Sequence, residues 1–332
     1  MLLRLLKSNT LLSSLLIPLV GVLFWMNSFL HPALLDIKLA NGAMPLYYLV
    51  YNLIREQDFW QVFVAFLLVV VNSFFVSQLG SSFLFLKHRS YLTGILYLIT
   101  VSAFADLHAL IPVHLAALCT LISIYFILDT YHKPVEITFT FNASFFLAIA
   151  SLIYLPAMML FPLVWIAIFV LQKSDNWRLL VIPILGFGTP WLFMWAFTFM
   201  KDSDSAMWND IVRMIWTDHN AYLLEPYFLF MTCVVVLLSI PGTLSVFSVY
   251  HRMKVSARKY FVIFFWMLGL ILGAALGLVT IGKEIIAFST IPVAFFISHF
   301  LNGEQRPIWK EILTWIYVLT MVSALLFYPG SN

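Results

Sequence analysis

The sequence predicts an all-α fold: a polytopic transmembrane helical bundle of about 11 helices, forming one integral membrane domain over residues 1–332. Three observations predict it. First, 63% of the residues are hydrophobic and only 10% are charged, against roughly half and a quarter in a soluble domain. That excess exceeds what one buried core takes up. Second, the polar residues interrupt the chain at intervals that leave apolar runs near membrane-spanning length. Third, the basic residues alternate in density from one interruption to the next.

In lipid, the backbone must satisfy its hydrogen bonds within each segment, so each apolar run is expected to be a helix. The runs fall near 11–30, 60–79, 91–105, 109–128, 138–154, 157–172, 179–200, 226–249, 260–281, 285–301 and 312–328. The first follows Arg4 and Lys7 and ends in Asn27-Ser28-Phe29-Leu30-His31-Pro32, which offers no small-residue cleavage site, so it is expected to be a retained helix. The runs at 91–105 and 138–172 are short, and Pro112, Pro156 and Pro162 are expected to bend or punctuate their neighbourhoods.

With a cytoplasmic N-terminus, thirteen of the eighteen Lys and Arg fall in inner loops, and Lys38, Arg55, Lys201, Arg213 and Lys283 fall outside. The positive-inside rule favours this orientation. It puts the C-terminus on the outer side. Ten of the fifteen acidic residues lie on the outer side, as the solvation of that face or as a site there.

Two outer loops are more than turns. Within 31–59, the stretch from Met44 to Ile54 is apolar and rich in tyrosine, with Pro45 at its start. It predicts a helix lying in the outer interface. Within 201–226, Met207, Trp208, Ile211, Val212, Met214 and Ile215 form a helical apolar stripe and predict a second one.

Polar residues at membrane depth are the candidates for chemistry. Asp106 and His108 share the turn between the third and fourth helices, with His114 further on. A carboxylate beside an imidazole binds metal or moves a proton; the alternative is a polar hairpin tip meeting water. Asp36 follows the first helix, two residues before Lys38, as a general base or as half of a solvated ion pair. Lys283 and Glu284 read as helix caps. Asn72, Gln78, Asn142 and His299 read as interhelical hydrogen-bonding groups.

Gly269, Gly273 and Gly277 recur every four residues and line one face of the ninth helix. Such spacing admits a closely packed helix, internal or from another subunit. The run Gly186-Phe187-Gly188-Thr189-Pro190 predicts a bend or break in the seventh. Cys119 and Cys233 lie in apolar runs and form no disulfide framework. Walker A, dinucleotide, HExxH and nucleophile-elbow patterns are absent from the sequence. No basic block suggests nucleic acid. The scarcity of intramembrane acids ranks transport low.

The chain resembles an uncharacterised family of polytopic inner-membrane proteins of Bacteroidota. The likeness rests on Lys7-Ser8-Asn9, Met44-Pro45-Leu46-Tyr47, Lys87 to Tyr91, and Leu155-Pro156-Ala157. In layout, residues 1–200 are also similar to the C-type (GT-C) glycosyltransferases: a first helix, an outer loop with an acidic residue and interfacial helices, then a bundle. Residues 201–332 add C-terminal helices. The resemblance implies a polyprenyl-phosphate-linked sugar donor on the outer leaflet, Asp36 as the base, and Asp106 near a second acidic position. His108 would join Asp106 in positioning a metal or phosphate, and Lys38 or Arg55 would meet the donor phosphate. The chain departs from the family pattern where Ile37-Lys38, rather than a second acid, follows Asp36, and it has no outer soluble domain. The other reading is a non-enzymatic subunit of an envelope assembly or secretion complex, docking a membrane-protein partner through the ninth helix. Neither reading fixes a cofactor.

Overall fold

A computed structural model of the chain describes residues 11–32, 44–54, 57–83, 90–132, 137–171, 177–201, 208–209, 211–212, 226–277, 284–303 and 307–327. Over these residues the chain is an all-α bundle without β-strands. Its longer helices are α1 (Leu11–Leu30), α2 (Pro45–Ile54), α3 (Asp58–Ser82), α4 (Leu92–Ser102), α5 (Pro112–Asp129) and α6 (Ile137–Ile153). They continue as α7 (Pro162–Leu171), α8 (Arg178–Met200), α9 (Pro226–Val249), α10 (Val255–Gly277), α11 (Ile285–Asn302) and α12 (Pro307–Phe327).

A helix forms in each of the eleven expected runs, and the twelfth helix, α2, falls where the first of the interfacial pair is expected. The second pair member lies almost wholly outside the described residues; Trp208–Asn209 and Ile211–Val212 are helical. Two boundaries differ from the sequence reading for a physical reason. α10 and α12 begin several residues early, at Val255 and Pro307, because Arg and Lys are good helix formers and lipid ends before the helix does. α7 begins at Pro162, where the missing N–H costs nothing in a first turn, and a 3₁₀ segment at Leu155–Leu160 precedes it.

Among the described residues, six helices are long and apolar enough to cross a membrane: α3, α5, α8, α9, α10 and α11. Their outward sides carry exposed large apolar groups, among them Ile184 and Phe193 on α8 and Leu237 and Leu244 on α9. α1 presents Leu15, Leu19 and Leu23 in the same way. A soluble protein buries such surface; this one offers it to lipid.

At the centre stands α4. Its eleven residues are all buried, and at 1.5 Å per residue it is only about 16 Å long. It packs against α1, α3 and α11. Gly94 makes the approach to α3 possible: a Cβ there would fall 2.1 Å from Ser77 Oγ and 2.2 Å from the Ser73 carbonyl oxygen. Thr93 donates to Ser298 of α11 at 3.1 Å. Because α4 is short, the turn that follows it stays inside the protein.

Gly186 and Gly242 serve the same purpose elsewhere. A Cβ at Gly186 would meet Ser144 and Phe141 of α6, and one at Gly242 would meet the backbone of Phe296 in α11. α8 is therefore unbroken through Gly186 and Pro190, with its glycine spent on close packing rather than on a break. The stripe of Gly269 and Gly273 on α10, the ninth helix of the sequence reading, meets nothing: no atom lies within 4 Å of a Cβ built at either. Gly277 ends the helix. No described helix of the chain uses that face.

Candidate functional site at the distal end of the bundle

The end of the bundle at which α1 finishes is the distal end. There the start of α2 is tied to the end of α6, where the Met44 N–H donates to the Ile153 carbonyl at 3.1 Å. The Tyr47 hydroxyl of α2 donates to the Leu110 carbonyl, in the turn between α4 and α5. Thus α2 lies across the buried turn, with Tyr47 and Tyr51 underneath and Leu49 and Leu53 exposed. Its alternation of apolar faces suits the headgroup layer. Ile211 packs beside Met44, against Leu155, Trp191 and Met194.

His108 occupies the turn but is not paired with Asp106. Its Nε2 lies 2.7 Å from the Ser102 carbonyl, and its Nδ1 lies 2.8 Å from the Ser28 hydroxyl. A carbonyl only accepts, so Nε2 carries the proton and Nδ1 accepts from Ser28. The ring stacks on Trp25, whose indole N–H donates to Ser102 Oγ at 2.9 Å. Burial holds the imidazole neutral, pushing its pKa down to about 4; the Ser102 carbonyl opposes this, His114 adds to it, and Asp106 opposes it least of the four. Both ring nitrogens are occupied.

Two expectations for this turn therefore give way. The carboxylate–imidazole pair does not form, since His108 spends its nitrogens on Ser28 and Ser102. Nor is the turn a hairpin tip in water: residues 107–111 are all buried, His108 at 5% exposure, while Asp106 is half-buried. Asp36, Lys38, Arg55 and Glu56 lie outside the described residues. His114 is fully buried in the first turn of α5, donating from Nε2 to the Leu107 carbonyl at 2.8 Å. Its Nδ1 has no hydrogen-bond partner. Asn72 does hold helices together as expected, donating to the His114 carbonyl at 3.1 Å. His299 does so through Ser245 at 3.3 Å.

The group of this end that burial perturbs most usefully is Glu284. It immediately precedes α11 and is 8% exposed. Burial raises its carboxyl to about 8, and the Tyr154 phenol beside it lowers it in part. Oε2 has no hydrogen-bond partner. Tyr154 is fully buried and stacked on Phe288 of α11 at 5.8 Å between ring centroids. Tyr47 lies close enough for its ionisation to be opposed, after burial and Tyr51, by the Glu284 charge. So α2, the α6–α7 junction and α11 bring two phenols and one carboxyl together beneath α2.

Sequence reading treated Glu284 as a cap. The missed signal is the character of α11, where Ile285 to Ile297 carries almost no polar group on any face. A helix apolar all round is buried, and it draws its first flanking charge inward with it. Among the described residues no three His, Cys, Asp or Glu side chains come together as a metal site. Comparison with protein-family models, curated proteins and solved structures finds no match to the chain.

Proposed function

We propose that the chain is an inner-membrane enzyme that transfers a sugar or similar group from a polyprenyl-phosphate carrier on the outer leaflet, with Glu284 as the proton-accepting group. The observation that supports this reading is the buried Glu284 carboxyl, raised to about 8, beside Tyr154 and under α2. A general base works best with a pKa near the operating pH. In the proposed step the acceptor hydroxyl attacks the anomeric carbon. The new C–O bond forms as the sugar–phosphate bond breaks. The hydroxyl proton passes to Glu284, and the polyprenyl phosphate leaves with the electron pair. The thirteen-to-five distribution of basic residues supports placing the distal end outside.

The experiment is turnover of polyprenyl-phosphate-linked sugars by the full chain in lipid nanodiscs, followed by release of polyprenyl phosphate. Glu284→Gln is expected to lower turnover by about two to four orders of magnitude, the usual range for a lost general base. Asp36→Asn tests the sequence-based candidate in the same assay. Turnover unchanged in Glu284→Gln would remove Glu284 from the mechanism. No turnover of any such donor would turn attention to the second reading.

That second reading is a non-enzymatic subunit of an envelope assembly or secretion complex. The open face at Gly269 and Gly273 supports it, since a neighbouring transmembrane helix can approach there and none within the described chain does. Gly273→Leu would then abolish co-purification of membrane partners while leaving the chain folded.

A further inference from the structure

The junction of α9 and α10, at the opposite (proximal) end, is rich in positive charge. No Asp or Glu occurs between Glu225 and Glu284, yet Arg252, Lys254, Arg258 and Lys259 fall together there. Lys259 turns inward: its Nζ donates to the Leu171 carbonyl at 3.3 Å and lies 5.0 Å from the Tyr131 ring centre. Asp129 acts on that same side, through Tyr260.

The other three cations do not follow Lys259. Arg252 and Lys254 are exposed. Lys254 and Arg258 are four residues apart where α10 begins, and the Arg258 N–H donates to the Lys254 carbonyl at 3.1 Å. The Arg258 guanidinium lies 5.6 Å from the Tyr250 ring centre. Its Nε is shut off from solvent and has no hydrogen-bond partner. Just beyond this patch the helix flanks are lipid-facing, with Phe247 and Leu244 exposed on α9 and Val255 and Trp266 on α10.

We propose that Arg252, Lys254 and Arg258 bind the phosphate headgroup of an anionic phospholipid whose acyl chains lie along the exposed sides of α9 and α10. The guanidinium, held against Tyr250, presents its fork to phosphate oxygens. Arg252 and Lys254 add charge from the water side. The site is independent of Glu284 and of the transfer reaction, and it needs no particular orientation of the chain.

The test uses the full chain, delipidated in mild detergent, with native mass spectrometry as the readout. It is titrated separately with phosphatidylglycerol, phosphatidylcholine and sodium phosphate. Wild type is expected to retain phosphatidylglycerol in preference to phosphatidylcholine. Replacing Arg252, Lys254 and Arg258 by Gln is expected to weaken phosphatidylglycerol binding on the order of a hundredfold, given the effect of each basic residue at an anionic surface. Lys201→Ala, at the distal end, is expected to leave it unchanged. If the triple variant elutes as an aggregate, Lys254→Gln, an exposed single change, must still weaken binding by several-fold. Equal retention of the two lipids by wild type overturns the proposal, as does undiminished binding by the Gln variants. Displacement of phosphatidylglycerol by millimolar sodium phosphate would overturn the lipid source and leave a free-phosphate site in its place.

Discussion

The imidazole of His108 lies flat against the indole of Trp25, with ring centroids 4.3 Å apart and planes 19° from parallel. Ser102 joins the two: its side-chain oxygen accepts from the indole and its carbonyl accepts from the imidazole. The turn after α4 is thus fixed to α1 by the stack on Trp25 and by the Ser28 hydroxyl at Nδ1, and to the end of α4 through Nε2. The arrangement explains why a histidine is stable there in neutral form, and why it is a structural group rather than a base.

Ser28→Ala is expected to destabilise the protein by about 1–3 kcal/mol, because it leaves the buried Nδ1 of His108 without its donor. Detergent or denaturant unfolding of the purified chain measures this. A neutral result would mean that water replaces the Ser28 hydroxyl.

Glu284 and His108 are expected to shape stability against pH in opposite senses. The Glu284 carboxyl binds its proton more tightly folded than unfolded. Its contribution is complete below about 4.5 and is lost as pH rises toward about 8. The His108 ring binds its proton less tightly when folded, so its contribution is complete above 6.5 and is lost as pH falls toward about 4. From 6.5 to 8 only the Glu284 slope remains. The melting temperature should therefore fall across that interval in wild type and stay flat in Glu284→Gln.

Gly94→Ala is expected to cost more than the roughly 1–3 kcal/mol typical of overpacking, since the added Cβ meets backbone as well as a hydroxyl. Gly269→Ala adds a methyl to open space and is expected to stabilise α10 by about 0.5–1 kcal/mol, the usual helix gain over glycine. Unfolding of the two variants in one detergent compares them directly. Loss of stability in Gly269→Ala would show that its face is occupied in the membrane.

Tyr47→Phe removes the hydrogen bond from α2 to the Leu110 carbonyl. A net loss of about 0.5–1.5 kcal/mol is expected, and it should appear as faster amide exchange in α2 with little change in α4. Equal acceleration in both would mean that α2 opens only with the whole bundle.

Much of the fold was legible because lipid imposes one rule on every span: apolar residues outside and backbone bonds satisfied within. That rule locates helices from composition alone, and it found all eleven runs as well as the tyrosine-rich α2. It says little about which helix faces meet. Gly269 and Gly273 have the spacing of a packing motif and meet nothing, whereas Gly94, Gly186 and Gly242, none of them four residues from another glycine, make the close approaches. The site was less legible for the same reason. Asp106 and His108 are neighbours in sequence, but the short α4 buries the histidine among Ser28, Ser102 and Trp25. Glu284 gains its partners from residues 130 and more positions earlier, Tyr154 and Tyr47, which no local pattern announces.

The most direct test follows the Glu284 carboxyl itself. Infrared difference spectra of the full chain in lipid, recorded from acid to alkaline pH, report the stretch of a protonated carboxyl. A band present at neutral pH is expected, disappearing as pH rises through about 8, absent in Glu284→Gln, and perturbed when a polyprenyl-phosphate-linked sugar is added. A band that titrates in the ordinary carboxylate range, or one that the donor leaves untouched, would contradict the assignment of this carboxyl to the site.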